Sequence, residues 1–289
     1  MRWEGNRQSD NVEDRRAGGG GGGFGFGGKS IGIGTIVIAL LAWGVFGINP
    51  LTTIGVLGGA GSQVSQPAPG QAPPANDQAA AFVSTVLAST EDAWTQIFRQ
   101  GGAQYREPRL VLFRGATRTA CGMGQSAMGP FYCPADQTVY LDMEFFDTLQ
   151  RQLNAPGEFA RAYVIAHEVG HHVQTLLGTT GKVDSLRGRV SERENNALSV
   201  RMELQADCFA GIWANKSQQA KNWLEQGDLE SAMNAAARIG DDHLQRQQTG
   251  MVRPDTFTHG SSAQRQRWFA QGFKTGSVQA CDTFNAQSL

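Results

Sequence analysis

The chain carries little charge of either sign. Of its 289 residues 18% are charged, 25 basic against 26 acidic, for a formal net charge of −1. Binding to nucleic acid needs a basic face, so no nucleic-acid partner is expected. The four cysteines, Cys121, Cys133, Cys208 and Cys281, include no C-x-x-C pair, which disfavours a zinc ribbon. Histidine is scarce, at five residues, and no charged side chain occurs between positions 30 and 76. Glycine is in excess, but locally: 18 of the 37 glycines lie in residues 1–62. A wholly disordered, collagen-like or multi-pass membrane chain fits none of this.

The two ends of the chain therefore differ. Residues 1–29 are polar and close on a glycine run at 18–23, which loses too much backbone entropy on ordering to form an element. Residues 31–48 are almost continuously apolar, and apolar character persists to Leu57. A bilayer needs about 20 such residues in a helix, so one transmembrane helix is expected over 30–57. A buried core helix would show a polar face, and this stretch has none. A cleaved signal peptide would have an apolar region of about 7–15 residues, and a 29-residue charged leader is long for one. Arg2, Arg7, Arg15, Arg16 and Lys29 precede the apolar run, whereas the next basic residue is Arg99. That asymmetry predicts a cytoplasmic N-terminus, diluted by Glu4, Asp10, Glu13 and Asp14, and an exported C-terminal bulk. The expected organisation is a cytoplasmic tail (1–29), a span of the inner membrane (30–57), a flexible Pro-rich linker (58–76) and an exported, periplasmic domain (77–289). All four cysteines lie beyond the span, in keeping with export, and the favoured disulfides are Cys121–Cys133, a short loop, and Cys208–Cys281.

Within 77–289 the patterns predict helices over 77–99, 144–153, 158–177, 193–217, 218–226 and 229–239, and an apolar turn or helix over 268–273. Two short β-type runs, 109–113 and 138–141, are bounded by Gly and Pro. The fold class expected is α+β, mainly α-helical with a small antiparallel sheet. The run over 138–142 is a candidate edge along which an extended peptide could lie.

One helix carries His167-Glu168-Val169-Gly170-His171. Residues four apart share a helix face, so both imidazoles can reach one metal ion, and zinc suits neutral imidazole. Glu168 is placed to accept a proton from a metal-activated water. Gly170 costs roughly 1 kcal/mol against alanine inside a helix, which implies close approach of another segment. Positions 174 and 177 are Gln and Leu, so the third ligand is not the histidine of the extended H-E-x-x-H-x-x-G-x-x-H pattern. Downstream, Glu203 and Asp207 are again four apart. One carboxylate can bind the metal while the other accepts the N–H of a ligating imidazole. His172 points about 100° away from His171 and reads as a structural or surface residue, as does His243.

H-E-x-x-H followed by E-x-x-A-D on a second helix resembles the gluzincin metallopeptidases. The chain as a whole resembles the neutral zinc metallopeptidases of bacterial cell envelopes. That likeness covers the glycine-rich leader, the single span, the segments Cys-Gly-Met-Gly and Tyr-Leu-Asp, His-Glu-Val-Gly-His-His-Val-Gln, and Thr258-His259-Gly260-Ser261-Ser262. It implies a zincin-like domain and a zinc-dependent peptidase with one ion, with His167, His171 and Glu203 as ligands and Glu168 as base. The segment around His259 is also similar to the Thr-His-Pro…Arg segment of prenyl-protein peptidases, with Gly260 in place of proline. On this reading His259 donates to the oxyanion, Arg265 supports the carboxylates and Asp207 orients a ligand histidine. The expected partners are a protein or peptide substrate and, through the span, a membrane. An amide in cell-wall peptides is a narrower alternative substrate. The rival class is a zinc-stabilised, membrane-anchored binding module without turnover, for which Glu168 would be dispensable.

Overall fold

A computed structural model describes residues 1–19, 71–125 and 129–289. The expected span, 30–57, lies outside those residues, as does most of the linker. No helix among the described residues is long and apolar enough to cross a membrane.

The helices form where caps and apolar spacing place them. α1 (Gln78–Gln100) starts where the Asp77 side chain accepts from the Ala80 N–H, and it buries Phe82, Val83, Val86, Leu87 and Trp94. α2 (Glu144–Arg151) is short. α3 (Glu158–Leu176) is buried along most of its length, and Gly178 ends it in the left-handed region at φ +76°. α4 (Thr179–Leu186) follows at once, a helix not expected from sequence. α5 (Glu192–Lys221) opens on a Ser191/Glu194 capping box. It runs without a break through 217, so the separate helix expected over 218–226 does not exist. α6 (Asp228–Arg238), α7 (Asp241–Thr249) and α8 (Ser262–Thr275) complete the set. α5 is the central helix, packed between α3 and α8. At Gly272 of α8, a Cβ would overlap the carbonyl oxygen of Cys208, so the two backbones touch there.

The main sheet has the order β1 (Val12–Asp14), β2 (Arg109–Phe113), β6 (Thr138–Asp142), β5 (Phe131–Cys133). β1, β2 and β6 run parallel, and β5 alone is antiparallel, against β6. β3 (Ala116–Thr119) and β4 (Gly122–Gln125) form a separate antiparallel hairpin. The fold is α+β and mainly helical, but the expectation of an antiparallel sheet is corrected. More than a dozen residues separate β2 from β6, and connections of that length let strands run parallel. β6 is interior and wholly buried, so the edge expected there is instead β5.

The N-terminal tail also differs from expectation. Residues 1–16 are not a separate polar segment. They lie on the domain, and β1 continues its sheet in register, Val12 against Leu110 and Asp14 against Leu112. Both disulfides join the favoured partners: Cys121–Cys133 ties the β3–β4 turn to β5, and Cys208–Cys281 ties α5 to the C-terminal 3-10 turn.

Candidate metal centre

α3 and α5 meet at two small residues, Gly170 and Ala206. A Cβ on Gly170 would lie 2.9 Å from the Ala206 carbonyl oxygen and 3.1 Å from its Cα. The close approach implied by a glycine in the motif helix is thus to α5, at the turn that carries Glu203 and Asp207. Three ligand atoms, one each from His167, His171 and Glu203, fall within 4.8 Å of one another. His167 Nε2 is 3.2 Å from Glu203 Oε2, and His171 Nε2 is 3.5 Å from Glu203 Oε1. Tetrahedral zinc with bonds near 2.0–2.1 Å sets its ligand atoms about 3.3 Å apart. Both histidine–carboxylate separations fit zinc, and two imidazoles with one carboxylate are donors that suit it.

The far nitrogen of each imidazole has an acceptor. His167 Nδ1 donates to Asp207 Oδ1 at 2.8 Å, and His171 Nδ1 donates to Gln174 Oε1 at 2.9 Å. Carboxylate and amide oxygens only accept, so each Nδ1 carries a proton, and a ring in its neutral form turns its Nε2 lone pair to the centre. The Gln174 amide is oriented in turn: its Nε2 donates to the Met202 carbonyl at 2.7 Å and to Gln205 Oε1 at 3.2 Å. Gln205 then donates to the Cys281 carbonyl at 3.1 Å.

Asp207 is fully buried and holds four donors. Arg265 grips it in a fork, Nε to Oδ2 at 2.8 Å and Nη2 to Oδ1 at 2.9 Å; Tyr163 Oη donates at 2.5 Å, beside His167. Burial alone would raise the Asp207 carboxyl, but Arg265 and His167 outweigh it and hold it below the usual range. Burial likewise opposes ionisation of Glu203, and the two histidines overcome it, keeping that group well below the usual range. Burial would drive His167 down, yet Asp207 and Glu203 push it up to about 10. Glu168, 8% exposed, goes the other way: burial raises its carboxyl above the ordinary value, and His167 and His171 offset that only in part.

His259 stands on the loop before α8. Its Nδ1 is 3.3 Å from Asp241 Oδ1. Asp241 Oδ2 accepts the backbone N–H groups of Thr258, His259 and Gly260 at 2.7, 2.7 and 3.0 Å. One carboxylate thus shapes the loop and aims the ring. Burial would lower the His259 pKa, but the Asp241 hydrogen bond raises it, and its charge is felt at Glu203.

Sequence reasoning singled out His167, Glu168, His171, Glu203, Asp207, His259 and Arg265, and the structure gathers them around one centre. It missed Tyr163, Gln174, Gln205 and Asp241. Tyr163 precedes His167 by one turn, and Gln174 follows His171 by three residues, so helical spacing held a signal for both. Asp241 offered none. His172 is structural as expected, held by the Tyr132 hydroxyl at 3.0 Å and the Arg106 carbonyl at 2.6 Å.

Comparison with known proteins points to a zinc family. The family described as "Putative neutral zinc metallopeptidase" matches residues 1–284. The chain belongs to that family. It is 53% identical to the protein YpfJ of Escherichia coli K12 over 289 residues, covering 98% of this chain and 99% of that one. It is 42% identical over 218 residues to Mb2605 of Mycobacterium bovis and to Rv2575 of Mycobacterium tuberculosis, covering 72% of this chain and 73% of each. No solved structure matches it.

Proposed function

We propose that this chain is a zinc-dependent peptidase that hydrolyses peptide bonds in a protein or peptide substrate, using one ion held by His167, His171 and Glu203. The observation that carries the reading is the pairing of that three-ligand set with a buried Glu168 one residue beyond the first ligand. Zinc, when bound, supplies Lewis-acid polarisation of the scissile carbonyl and lowers the pKa of water. The chain's own groups do the rest. Glu168 takes a proton from the attacking water on its carboxylate as the water oxygen bonds to the carbonyl carbon. It returns that proton to the amine nitrogen as the C–N bond breaks. The raised pKa of Glu168 suits both transfers, since a base poised nearer neutrality also serves as an acid. His259, aimed by Asp241, donates to the oxygen that gains negative charge. Asp207 fixes the tautomer of His167, and Arg265 holds Asp207 ionised.

The test compares wild type with Glu168→Gln and Glu203→Ala in the full chain, by zinc content and by cleavage of a broad peptide library. Glu168→Gln is expected to keep its zinc and lose about 10²–10⁴-fold in turnover. Glu203→Ala is expected to lose zinc. Zinc in both wild type and Glu168→Gln with no cleavage by either would favour the binding module, and full zinc in Glu203→Ala would reassign the third ligand.

A further inference from the structure

The N-terminal segment is joined to the zinc domain by more than a terminal contact. Glu91 of α1 is 1% exposed, and three side chains of the segment meet its carboxylate: Arg7 Nη2 at 2.9 Å, Ser9 Oγ at 2.5 Å and Asn11 Nδ2 at 2.9 Å. Trp3 packs edge-on to Phe82 with centroids 5.4 Å apart and donates to Glu158, the first residue of the motif helix, at 3.0 Å. The backbone joins as well. Ser9 donates to the Ser84 carbonyl, Leu110 donates to Asn11, and Arg15 donates to Leu112. Leu110 and Leu112 of β2 are fully buried, and without β1 that strand would be an open sheet edge.

The arginines that set the expected orientation are all paired. Arg7 meets Glu91 and Asp92, Arg15 meets Glu13, Arg16 meets Asp14 and Asp77, and Arg2 meets Glu225. Four of those six partners are domain residues, so the basic pattern of the leader has a second explanation, in folding. The chain also returns where it left: the Asp14 N–H donates to the Gln71 carbonyl at 2.7 Å.

We infer that residues 1–16 are an integral strand and clamp of the zinc domain, and that the N-terminus therefore shares one compartment with the metal centre. A single crossing between residues 19 and 71 would put the clamp and its surface on opposite faces of a bilayer. A docked clamp and a once-crossing chain exclude each other. The acidic and apolar surface of α1, β2 and the start of α3 is a receptor for the chain's own leader.

The experiment uses the full chain in Gram-negative cells, with one reporter cysteine at Glu4→Cys or at Lys182→Cys, both exposed positions. A membrane-impermeant maleimide is applied to spheroplasts and to inverted inner-membrane vesicles. The two reporters are expected to react from the same side, and reaction from opposite sides would overturn the inference. Hydrogen exchange on the purified full chain tests docking itself. The Arg15 and Leu110 amides are expected to exchange at least about a hundredfold more slowly than in an unstructured peptide. Exchange of both at the unstructured rate would overturn the inference even if the reporters agree.

Discussion

Gly170→Ala puts the α3–α5 crossing to the test. A methyl at this position would meet the Ala206 carbonyl oxygen at 2.9 Å, its Cα at 3.1 Å and its Cβ at 3.3 Å. These are mostly backbone atoms, which yield only if a helix moves. Restoring the ordinary 3.4 Å requires α5 to withdraw by about 0.5 Å. Glu203 rides on the same turn of α5, and metal–ligand distances tolerate about ±0.2 Å. Helix propensity favours alanine by roughly 1 kcal/mol, and overpacking costs about 1–3 kcal/mol, so the net loss is roughly 0–2 kcal/mol. For a domain of this size that lowers Tm by at most about 8 °C. Zinc affinity, read by competition with a chelator, is expected to fall at least about tenfold. Adding Ala206→Gly removes only the 3.3 Å contact and is expected not to restore it. A Gly170→Ala chain with wild-type zinc affinity, or full rescue by Ala206→Gly, would refute the argument that backbone contact at this crossing sets the ligand spacing.

Three further outcomes follow from the same geometry. His167, held at about 10 in the metal-free protein, lies above its unfolded value near 6.5, so its protonation stabilises the metal-free fold fully below about pH 6.5 and that contribution is lost as pH rises through about 10. Zinc needs the neutral ring, so loading near pH 7 is expected to release a proton from His167, which calorimetry in two buffers of different ionisation enthalpy would detect. Asp241→Asn is expected to lower the His259 pKa, because the Asp241 hydrogen bond is what raises it, and so to move the alkaline limb of the pH–rate profile to lower pH; an unmoved limb would remove His259 from the reaction. Arg265→Ala leaves Asp207 buried without its fork and is expected to cost about 3–5 kcal/mol in denaturant unfolding, with Arg265→Lys recovering only part, since an ammonium lacks the planar fork.

The cluster of candidate donors was legible because helical spacing puts residues four apart on one face, as in His167/His171 and in Glu203/Asp207; which of the two carboxylates faces the histidines' Nε2 atoms came from the family resemblance. The groups that orient those ligands were less legible, because their partners meet only in the folded chain. Asp241 touches His259 across 18 residues of sequence, and Gln174 reads as a failed third ligand until α5 supplies Met202 and Gln205 to its amide. β1 was invisible for another reason. Val-Glu-Asp is three residues long, lies in a polar context and shows no alternation, so only the waiting edge of β2 makes it a strand. Sheet direction was misjudged because strand composition says nothing about connection length.

The relay from His171 through Gln174 and Gln205 ends on the carbonyl of Cys281. The three candidate donors lie within residues 167–203, and so does Gln174, whereas Asp207 and Arg265, which hold the ring of His167, and Cys281, which ends the relay from His171, come later. A chain made from its N-terminus thus presents its candidate donors well before Arg265 and Cys281, the last of the groups that orient them. An unfinished chain can offer imidazoles to an ion, but not the oriented set. A truncation that spares His167, His171 and Glu203 but removes Arg265 and Cys281 would still leave the centre unfinished.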